Sequence, residues 1–393
     1  MKILITSDWY KPVINGVVTS VLNLEKELVS RGHEVRILTL SLSKHSYREN
    51  NIFYIGSINA NKIYPQARIR IKSVHTAFIN ELIEWKPDIV HSQCEFSTFS
   101  FGRKIAEASG APFIHTYHTA YENYTHYFSH SVLIGKKVVA GFTRMILKKT
   151  VAVIVPSYKV QHLLAAYGVN MPTHVIPTGI DNENFTIKPQ ADWIRQKKQE
   201  YGIPKDHLVL LYIGRLAKEK NIEELLFCMS LLIEKDVTLL VIGDGPHRGN
   251  LEQMATELKL GSSVIFGGMV APEQVGAYYH LGNVFVNAST SETQGLTYFE
   301  ALSAGLPMIC HKDDCLTGVI ENGKNGWQYN EPEEFVRYAL MLRDHFQLRS
   351  SMSAYAAKKA KEFSIDVFAN QLEALYSQIV RETDENSKKQ SAS

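Results

Sequence analysis

Apolar runs of four to six residues alternate with amphipathic stretches along most of this 393-residue chain. Lys2–Thr6 and Val35–Leu40 read as buried strands. Between them Val17–Ser30 carries apolar positions at three- and four-residue spacing, the period of a helix lying on a sheet. Strand-like runs recur at Ile89–His91, Phe113–Thr116 and Val151–Val155, separated by helical stretches. The rhythm breaks over Asp181–His207, which is polar and charged and holds Gly202 and Pro204. It restarts with Leu208–Ile213, Thr238–Ile242, Val264–Phe266 and Val284–Val286. Such alternation predicts an α/β fold of parallel, doubly wound sheets. We expect two Rossmann-like domains, residues 1–180 and 181–364, then a helix over 365–380 and a polar, disordered tail over 381–393. Ligands of such sheets lie at the carboxyl ends of the strands, so a cleft between the domains is the expected site.

Composition narrows the class further. A hydrophobic content of 45% and a charged content of 21% describe an ordinary globular chain. Four scattered cysteines (Cys94, Cys228, Cys310, Cys315) form no Cys-x-x-Cys pair, so neither a zinc site nor a disulfide framework is indicated. Met1–Asp8 opens as a strand rather than as the apolar core of a signal peptide, and no apolar run reaches the ~18 residues of a membrane span. A soluble, cytoplasmic protein is expected. The net charge of +2 hides an asymmetry: residues 1–180 carry 20 Lys and Arg against 11 Asp and Glu, and the remainder 22 against 29. A basic first half suggests an anionic partner. No recognised nucleic-acid module is present, so nucleic acid is set aside and an anionic membrane surface remains.

The densest chemistry lies in Asn287-Ala-Ser-Thr-Ser-Glu292-Thr-Gln-Gly295-Leu-Thr-Tyr-Phe-Glu300, directly after the Val284–Val286 run. Gly295 falls where a strand hands over to a helix. Backbone N–H groups from Gln294 through Leu296 to Thr297 would then be available to a phosphate. Glu292 before the turn and Glu300 two turns beyond it can accept hydrogen bonds from sugar hydroxyls, although two surface glutamates beside an ordinary helix start would also fit. Gly214-Arg215-Leu-Ala-Lys218-Glu-Lys220-Asn follows the first strand of the second half. An Arg fork and a Lys point charge there can hold a diphosphate, or can simply be a solvated basic loop.

Other segments are less specific. Gly243-Asp-Gly-Pro246 reads as a tight turn, and Met269 in Gly267-Gly-Met-Val270 could be a packing residue. Gly16, in Asn15-Gly16-Val17, sits where close approach of a ligand to a helix terminus is possible. His115-Thr-Tyr-His118, leading into a loop rich in Tyr and His, ends a strand with the polar aromatic groups typical of a polyol site. Zinc ligation there lacks a carboxylate or cysteine partner at ligand spacing, and no Asp-x-Asp motif is present; no metal is assigned. Arg68-Ile-Arg70-Ile-Lys72 and the Lys137/Arg144/Lys148 stripe, the latter beside Ile134, Val138, Phe142 and Met145, combine basic and apolar positions. Such faces dock on anionic bilayers, or pack as ordinary amphipathic helices.

Taken in order, these motifs resemble those of the retaining family 4 glycosyltransferases of GT-B fold, whose Glu-x7-Glu signature matches Glu292 and Glu300. The resemblance implies two Rossmann-like doubly wound domains facing across a cleft, with the 365–380 helix crossing back to the first. It implies an acceptor- and membrane-binding first domain and a nucleotide-sugar-binding second. Arg215 and Lys220 would hold the donor diphosphate, Glu292 would orient the sugar, and Glu300 would hold the ribose. Gln294, Gly295, Leu296 and Thr297 would bind the phosphate, the backbone at Met269 the uracil, and the Gly16 loop the donor phosphates or sugar. His118 would lie near donor sugar and acceptor. A UDP-sugar is the implied donor; no cofactor is required by motif, and dependence on Mg is left open.

Asn15–Ser20, His118–Tyr127 and Asn287–Tyr298 are more narrowly similar to bacterial diacylglycerol glucosyltransferases. Those monotopic enzymes move glucose from UDP-glucose to the 3-hydroxyl of diacylglycerol. This implies a peripheral enzyme on the inner face of the cell membrane, with diacylglycerol or a related lipid as acceptor. Transfer to glucosyl-diacylglycerol or to a polysaccharide precursor remains an alternative. So do a GT-B sugar-nucleotide epimerase and a catalytically silent sugar-nucleotide or membrane binder. Glucose and galactose differ at one hydroxyl, which no motif here senses.

Overall fold

The computed structural model describes residues 1–13, 15–60, 68–70, 76–119 and 132–391. The chain divides into two compact units, Met1–Gly179 with Ile365–Ser393, and Ile180–Ser364.

In the first unit the strands are β1 (Lys2–Ser7), β2 (Glu34–Leu40), β3 (Tyr47–Glu49), β4 (Ile52–Ile55) and β5 (Ser57–Asn59). They are followed by β6 (Arg68–Arg70), β7 (Ile89–Ser92), β8 (Phe113–Thr116), β9 (Ala152–Val155) and β10 (Thr173–Val175). Eight of them form one sheet in the order β10-β9-β8-β7-β1-β2-β4-β3, parallel except for β3 against β4, while β5 and β6 pair as a separate ribbon. Successive residues of a strand face opposite sides, and here both sides are covered. Leu4, Leu38, Val90 and Val153 pack with Phe99, Ile105 and other residues on one face. Ile3, Ile5, Ile37, Ile114 and Ile154 pack on the other with Leu24 and Leu28 of the Gly16–Ser30 helix. That helix starts one residue earlier than its apolar pattern suggests, because the Asn15 side chain caps it, accepting from the Val18 N–H at 2.9 Å.

Phe368, Leu372, Leu375, Tyr376 and Ile379 complete the second face. They come from the C-terminal helix Ile365–Ser391, which belongs to this first unit. Arg31 anchors it through Asp366 Oδ1 at 2.6 Å and Glu373 Oε2 at 3.1 Å. The helix does not end at 380: residues 381–391, expected to be a disordered tail, continue it. Polarity alone does not stop a helix, and this stretch holds neither Gly nor Pro. Gln378 donates to Glu382 at 2.9 Å and the Thr383 hydroxyl to the Ile379 carbonyl at 2.8 Å.

The two basic segments fare differently. Arg68 is not free to meet a membrane, because its guanidinium donates to the carbonyls of Ser41, Leu42 and Ser57 and to Ser57 Oγ. Four such bonds make it a structural tie of β6. Arg70 is exposed and stacks 4.9 Å above the Phe101 ring; Lys72 lies outside the described residues. On the Val132–Leu147 helix, Lys137, Arg144 and Lys148, just beyond its end, are exposed beside exposed Val138 and Met145, while Val139 and Ile146 face the core. Phe142 is half-buried against Phe96. Among the described residues no helix is long and apolar enough to cross a membrane.

The second unit holds β11 (Leu208–Ile213), β12 (Val237–Ile242), β13 (Val264–Gly268), β14 (Val284–Asn287), β15 (Met308–His311) and β16 (Gly326–Tyr329). All are parallel, in the order β13-β12-β11-β14-β15-β16. Every residue of β11 and β12 is buried, as in sheets covered on both faces. Leu208, Leu210 and Tyr212 face the Ile222–Ser230 and Pro332–Asp344 helices; Val209, Leu211 and Ile213 face the Val275–Tyr279 and Leu296–Ser303 helices. The strand order reverses between β11 and β14, where a parallel sheet leaves a crevice for ligand at its carboxyl edge.

Candidate active site

Residues singled out in the sequence lie on both sides of that reversal. The loop after β11 runs through Arg215 and Lys220, and the loop after β14 reaches Glu292. Lys220 Nζ lies 2.6 Å from Glu292 Oε1, with the two side chains 23% and 14% exposed. The loops are tied by two hydroxyls the sequence did not single out: Ser289 and Ser291 donate to the Glu219 carbonyl at 3.3 and 2.9 Å. Asn221 holds a left-handed conformation (φ 51°) while its amide reaches Glu224 at 2.6 Å and the Ala288 carbonyl at 3.4 Å. Arg215 is exposed and forms no ion pair among the described residues; Lys218 is exposed as well.

The glycine turn after β12 has a packing reason beyond its tightness. At Gly243 (φ 135°) an added Cβ would stand 1.9 Å from the Gly214 carbonyl oxygen, so the two loops touch backbone to backbone. Leu216 N–H donates to the Asp244 carbonyl and Gly243 N–H to the Gly268 carbonyl, at 3.0 and 2.8 Å. Met269 is 82% exposed, which removes the packing reading of its side chain.

Gly295 stands at φ 72°, ψ 79° and starts the Leu296–Ser303 helix with no side-chain cap. The N–H groups of Leu296 and Thr297 therefore lack intrahelical acceptors and suit an anion. A Cβ at Gly295 would lie 2.4 Å from the Tyr298 ring. Gln294 beside it is buried. Glu300 accepts from the Tyr279 hydroxyl at 2.6 Å. Burial raises the pKa of its carboxyl, and the Tyr279 bond opposes that rise. Tyr279 is a site residue that sequence reasoning missed, for its pattern is that of any apolar helix position.

In the first unit the order reverses between β1 and β7, and a polar cluster fills the carboxyl edge. Asp8, after β1, accepts from the N–H groups of Thr98 and Ser97 at 2.7 and 3.2 Å, and burial lifts its pKa to about 6. His118, after β8, sets Nε2 2.7 Å from Gln93 Oε1. Burial, with His115 nearby, lowers the His118 pKa to about 3. His91 contacts Thr116 Oγ1 and the Tyr376 hydroxyl, each at 2.6 Å. Gln93, His91 and Tyr376 carried no sequence signal, since they meet only across the folded sheet. Gly16 is the first residue of its helix. The rest of the Tyr- and His-rich loop, residues 120–131 with His126 and Tyr127, lies outside the described residues. Among the described residues no group of three or more His, Cys, Asp or Glu could hold a metal ion.

Two Rossmann-like units closed by a C-terminal helix define the GT-B fold. The solved structures agree: Anabaena Alr3699/HepE in complex with UDP matches at a TM-score of 0.74 and 17% identity, over 96% of this chain and 100% of that one. WaaG, a glycosyltransferase involved in lipopolysaccharide biosynthesis, matches at 0.67 and 15%, over 95% and 99%. "Glycosyltransferase Family 4" matches residues 14–184 and "Glycosyl transferases group 1" residues 194–359. Alpha-monoglucosyldiacylglycerol synthase of Acholeplasma laidlawii is 32% identical over 400 residues, 99% of each chain. That of Streptococcus pneumoniae is 36% identical over 334 residues, 84% of this chain and 75% of the relative. The family matches and the relatives therefore define a retaining, nucleotide-sugar-dependent transferase. The chain belongs to glycosyltransferase family 4.

Proposed function

We propose that the protein transfers glucose from UDP-glucose to the 3-hydroxyl of diacylglycerol, with retention, at an anionic membrane surface. The observation that carries this reading is the likeness to the Acholeplasma laidlawii synthase along 99% of both chains. The second unit binds the donor. Arg215, Lys220 and the Gly295 helix start take up the negative charge that grows on the leaving diphosphate. Glu292 orients the sugar and Glu300 the ribose. The first unit binds the acceptor, with His118 beside the reacting groups. A cavity of about 530 Å³ in that unit supports this assignment. Trp9, Tyr10, Leu42, Tyr47 and Tyr54 give it apolar walls and Asp8 a hydrogen-bonding group, a mixture suited to a glycerol hydroxyl attached to hydrocarbon. The exposed Lys137, Val138, Met145 and Lys148 offer the membrane contact, each basic group contributing about 1 kcal/mol at an anionic leaflet; Arg144 is tied back to the Tyr167 carbonyl at 2.8 Å.

A donor-by-acceptor matrix tests the proposal. UDP-glucose and UDP-galactose are each offered diacylglycerol, glucosyl-diacylglycerol or a soluble sugar, in vesicles of phosphatidylglycerol. The glucose–diacylglycerol pair should give the fastest formation of glycolipid. A faster second-sugar transfer, or equal turnover on the soluble sugar without lipid, overturns the acceptor assignment.

A further inference from the structure

We propose that Asn221 is a positioning residue for the donor site: its side-chain amide laces the loop after β11 to the loop after β14 and holds Lys220 on Glu292. This rests on the reading of Lys220 and Glu292 given above and adds what fixes their separation.

Asn221 stands at the N-cap of the Ile222–Ser230 helix but does not cap it. An asparagine there ordinarily turns its side-chain oxygen onto the free N–H groups of the first turn. Here the residue is left-handed, at φ 51° and ψ 42°, and makes no side-chain cap bond. Its Nδ2 donates instead to Glu224 Oε2 at 2.6 Å and to the Ala288 carbonyl at 3.4 Å. A carboxylate and a carbonyl only accept, so the amide nitrogen must face them and its orientation is fixed. The other oxygen of Glu224 holds His311 Nδ1 at 2.8 Å, and His311 ends β15. Ala288 is buried directly after β14. Glycine would supply the same φ without strain, so the turn alone does not call for asparagine; the two bonds of its amide do.

Lys220 is thereby tied on both sides. Before it, the Glu219 carbonyl accepts from the hydroxyls of Ser289 and Ser291. After it, Asn221 reaches Ala288 in the same loop and, through Glu224, the end of β15. None of these bonds involves the Lys220 ammonium, which is left to meet Glu292 Oε1 at 2.6 Å. The network therefore acts on where Lys220 stands rather than on its charge. For a group that meets developing charge, a displacement of about 1 Å can cost about a hundredfold in rate.

Asn221→Gly keeps the left-handed turn and deletes both side-chain bonds. Calorimetry with UDP reads the result without an acceptor: Kd should rise about fivefold in the otherwise wild-type protein. In a Lys220→Ala background the same change should alter Kd less than about twofold, because nothing is left to position. A merely structural residue would cost the same factor in both backgrounds. With UDP-glucose and diacylglycerol in phosphatidylglycerol vesicles, Asn221→Gly should lower kcat about tenfold. Rescue gives a reading that does not depend on the glycine variant folding. Asn221→Asp sets a carboxylate against Glu224 and should raise the Kd for UDP about tenfold or more. Adding Glu224→Gln presents an NH2 to the new carboxylate while its oxygen keeps His311, and should return Kd to within about threefold of the wild type. Equal losses from Asn221→Gly in both backgrounds overturn the proposal. So does an unchanged Kd in Asn221→Gly when Lys220→Ala has weakened UDP, or a failure of Glu224→Gln to restore Asn221→Asp. Normal UDP binding and turnover in Lys220→Ala would instead remove the donor role of Lys220, and the positioning role with it.

Discussion

Lys220 Nζ and Glu292 Oε1 stand 2.6 Å apart across the reversal of the second sheet. The cation assigned to the donor diphosphate is thus already paired with the carboxylate assigned to the sugar. Until a donor arrives, each neutralises the other in a half-buried place where an unpaired charge would be costly. On that assignment, a bound diphosphate should give Lys220 a second anionic partner and leave Glu292 to accept from sugar hydroxyls.

The pair makes Lys220 and Arg215 unequal. Arg215→Ala should slow turnover about a hundredfold, roughly 3 kcal/mol of lost charge stabilisation. Lys220→Ala should cost more and should also weaken UDP binding, because it leaves Glu292 uncompensated beside the phosphates. Adding Glu292→Gln to Lys220→Ala should restore part of the UDP affinity in calorimetry. If both alanine variants turn over normally, the diphosphate is held elsewhere.

Glu292 and Glu300 should differ in kind. Glu300 is braced by the Tyr279 hydroxyl at 2.6 Å. Glu300→Gln should therefore raise the Kd for UDP about tenfold, with a smaller effect on kcat, and Tyr279→Phe should do the same more weakly. Glu292→Gln should mainly depress kcat, because its bonds to the sugar matter as charge develops. Equal losses of UDP affinity from both glutamine variants would contradict the assignment.

Gly243 should be the least replaceable turn glycine of the site. Gly243→Ala meets backbone at 1.9 Å and an unfavourable φ of 135°. It should cost about 3 kcal/mol or more, a fall in Tm of roughly 6 °C or more for a unit of this size. Gly295→Ala meets the Tyr298 ring at 2.4 Å and should both destabilise and weaken donor binding. A Gly243→Ala protein that melts with the wild type would show that the two loops can separate freely.

Much of this was legible in sequence, for physical reasons that also mark its limits. The strands of β11, β12 and β14 announce themselves as short, fully apolar runs, and Gly295 and Gly214 mark where chain direction changes. The contacts that set side-chain chemistry join distant residues: Lys220 with Glu292, Glu300 with Tyr279, His91 with Tyr376 285 positions away. No spacing rule reports those. Arg68 misled because a basic residue looks solvated until the carbonyls that hold it are seen. The 381–391 stretch misled because polarity was read as disorder although nothing in it breaks a helix.

Acid should loosen the first unit. Burial lowers the pKa of His91 well below its ordinary value and that of His118 to about 3. Between pH 6.5 and the folded values, the unfolded chain binds protons that the native state refuses, so stability falls as pH falls. Each imidazole contributes up to about 1.4 kcal/mol per pH unit. Asp8, raised to about 6, works the other way: its contribution is present below pH 3.8 and is lost as pH rises through 6. Two imidazoles outweigh one carboxyl, so the protection factors of amides in β7 and β8, taken relative to the intrinsic exchange rate at each pH, should fall from pH 7 to pH 5. Protection that holds or rises over that range would show that the imidazoles are not held neutral.

The most direct test of the account is the product itself. Purified protein is given UDP-glucose and phosphatidylglycerol vesicles containing diacylglycerol, and the lipid formed is identified by mass and by the proton coupling at its anomeric centre. The account predicts glucosyl-diacylglycerol, α-linked at the 3-hydroxyl, with one UDP released per lipid and far less product in phosphatidylcholine vesicles at high salt. A β-linked lipid, or UDP release with a soluble sugar but no glycolipid, would contradict it.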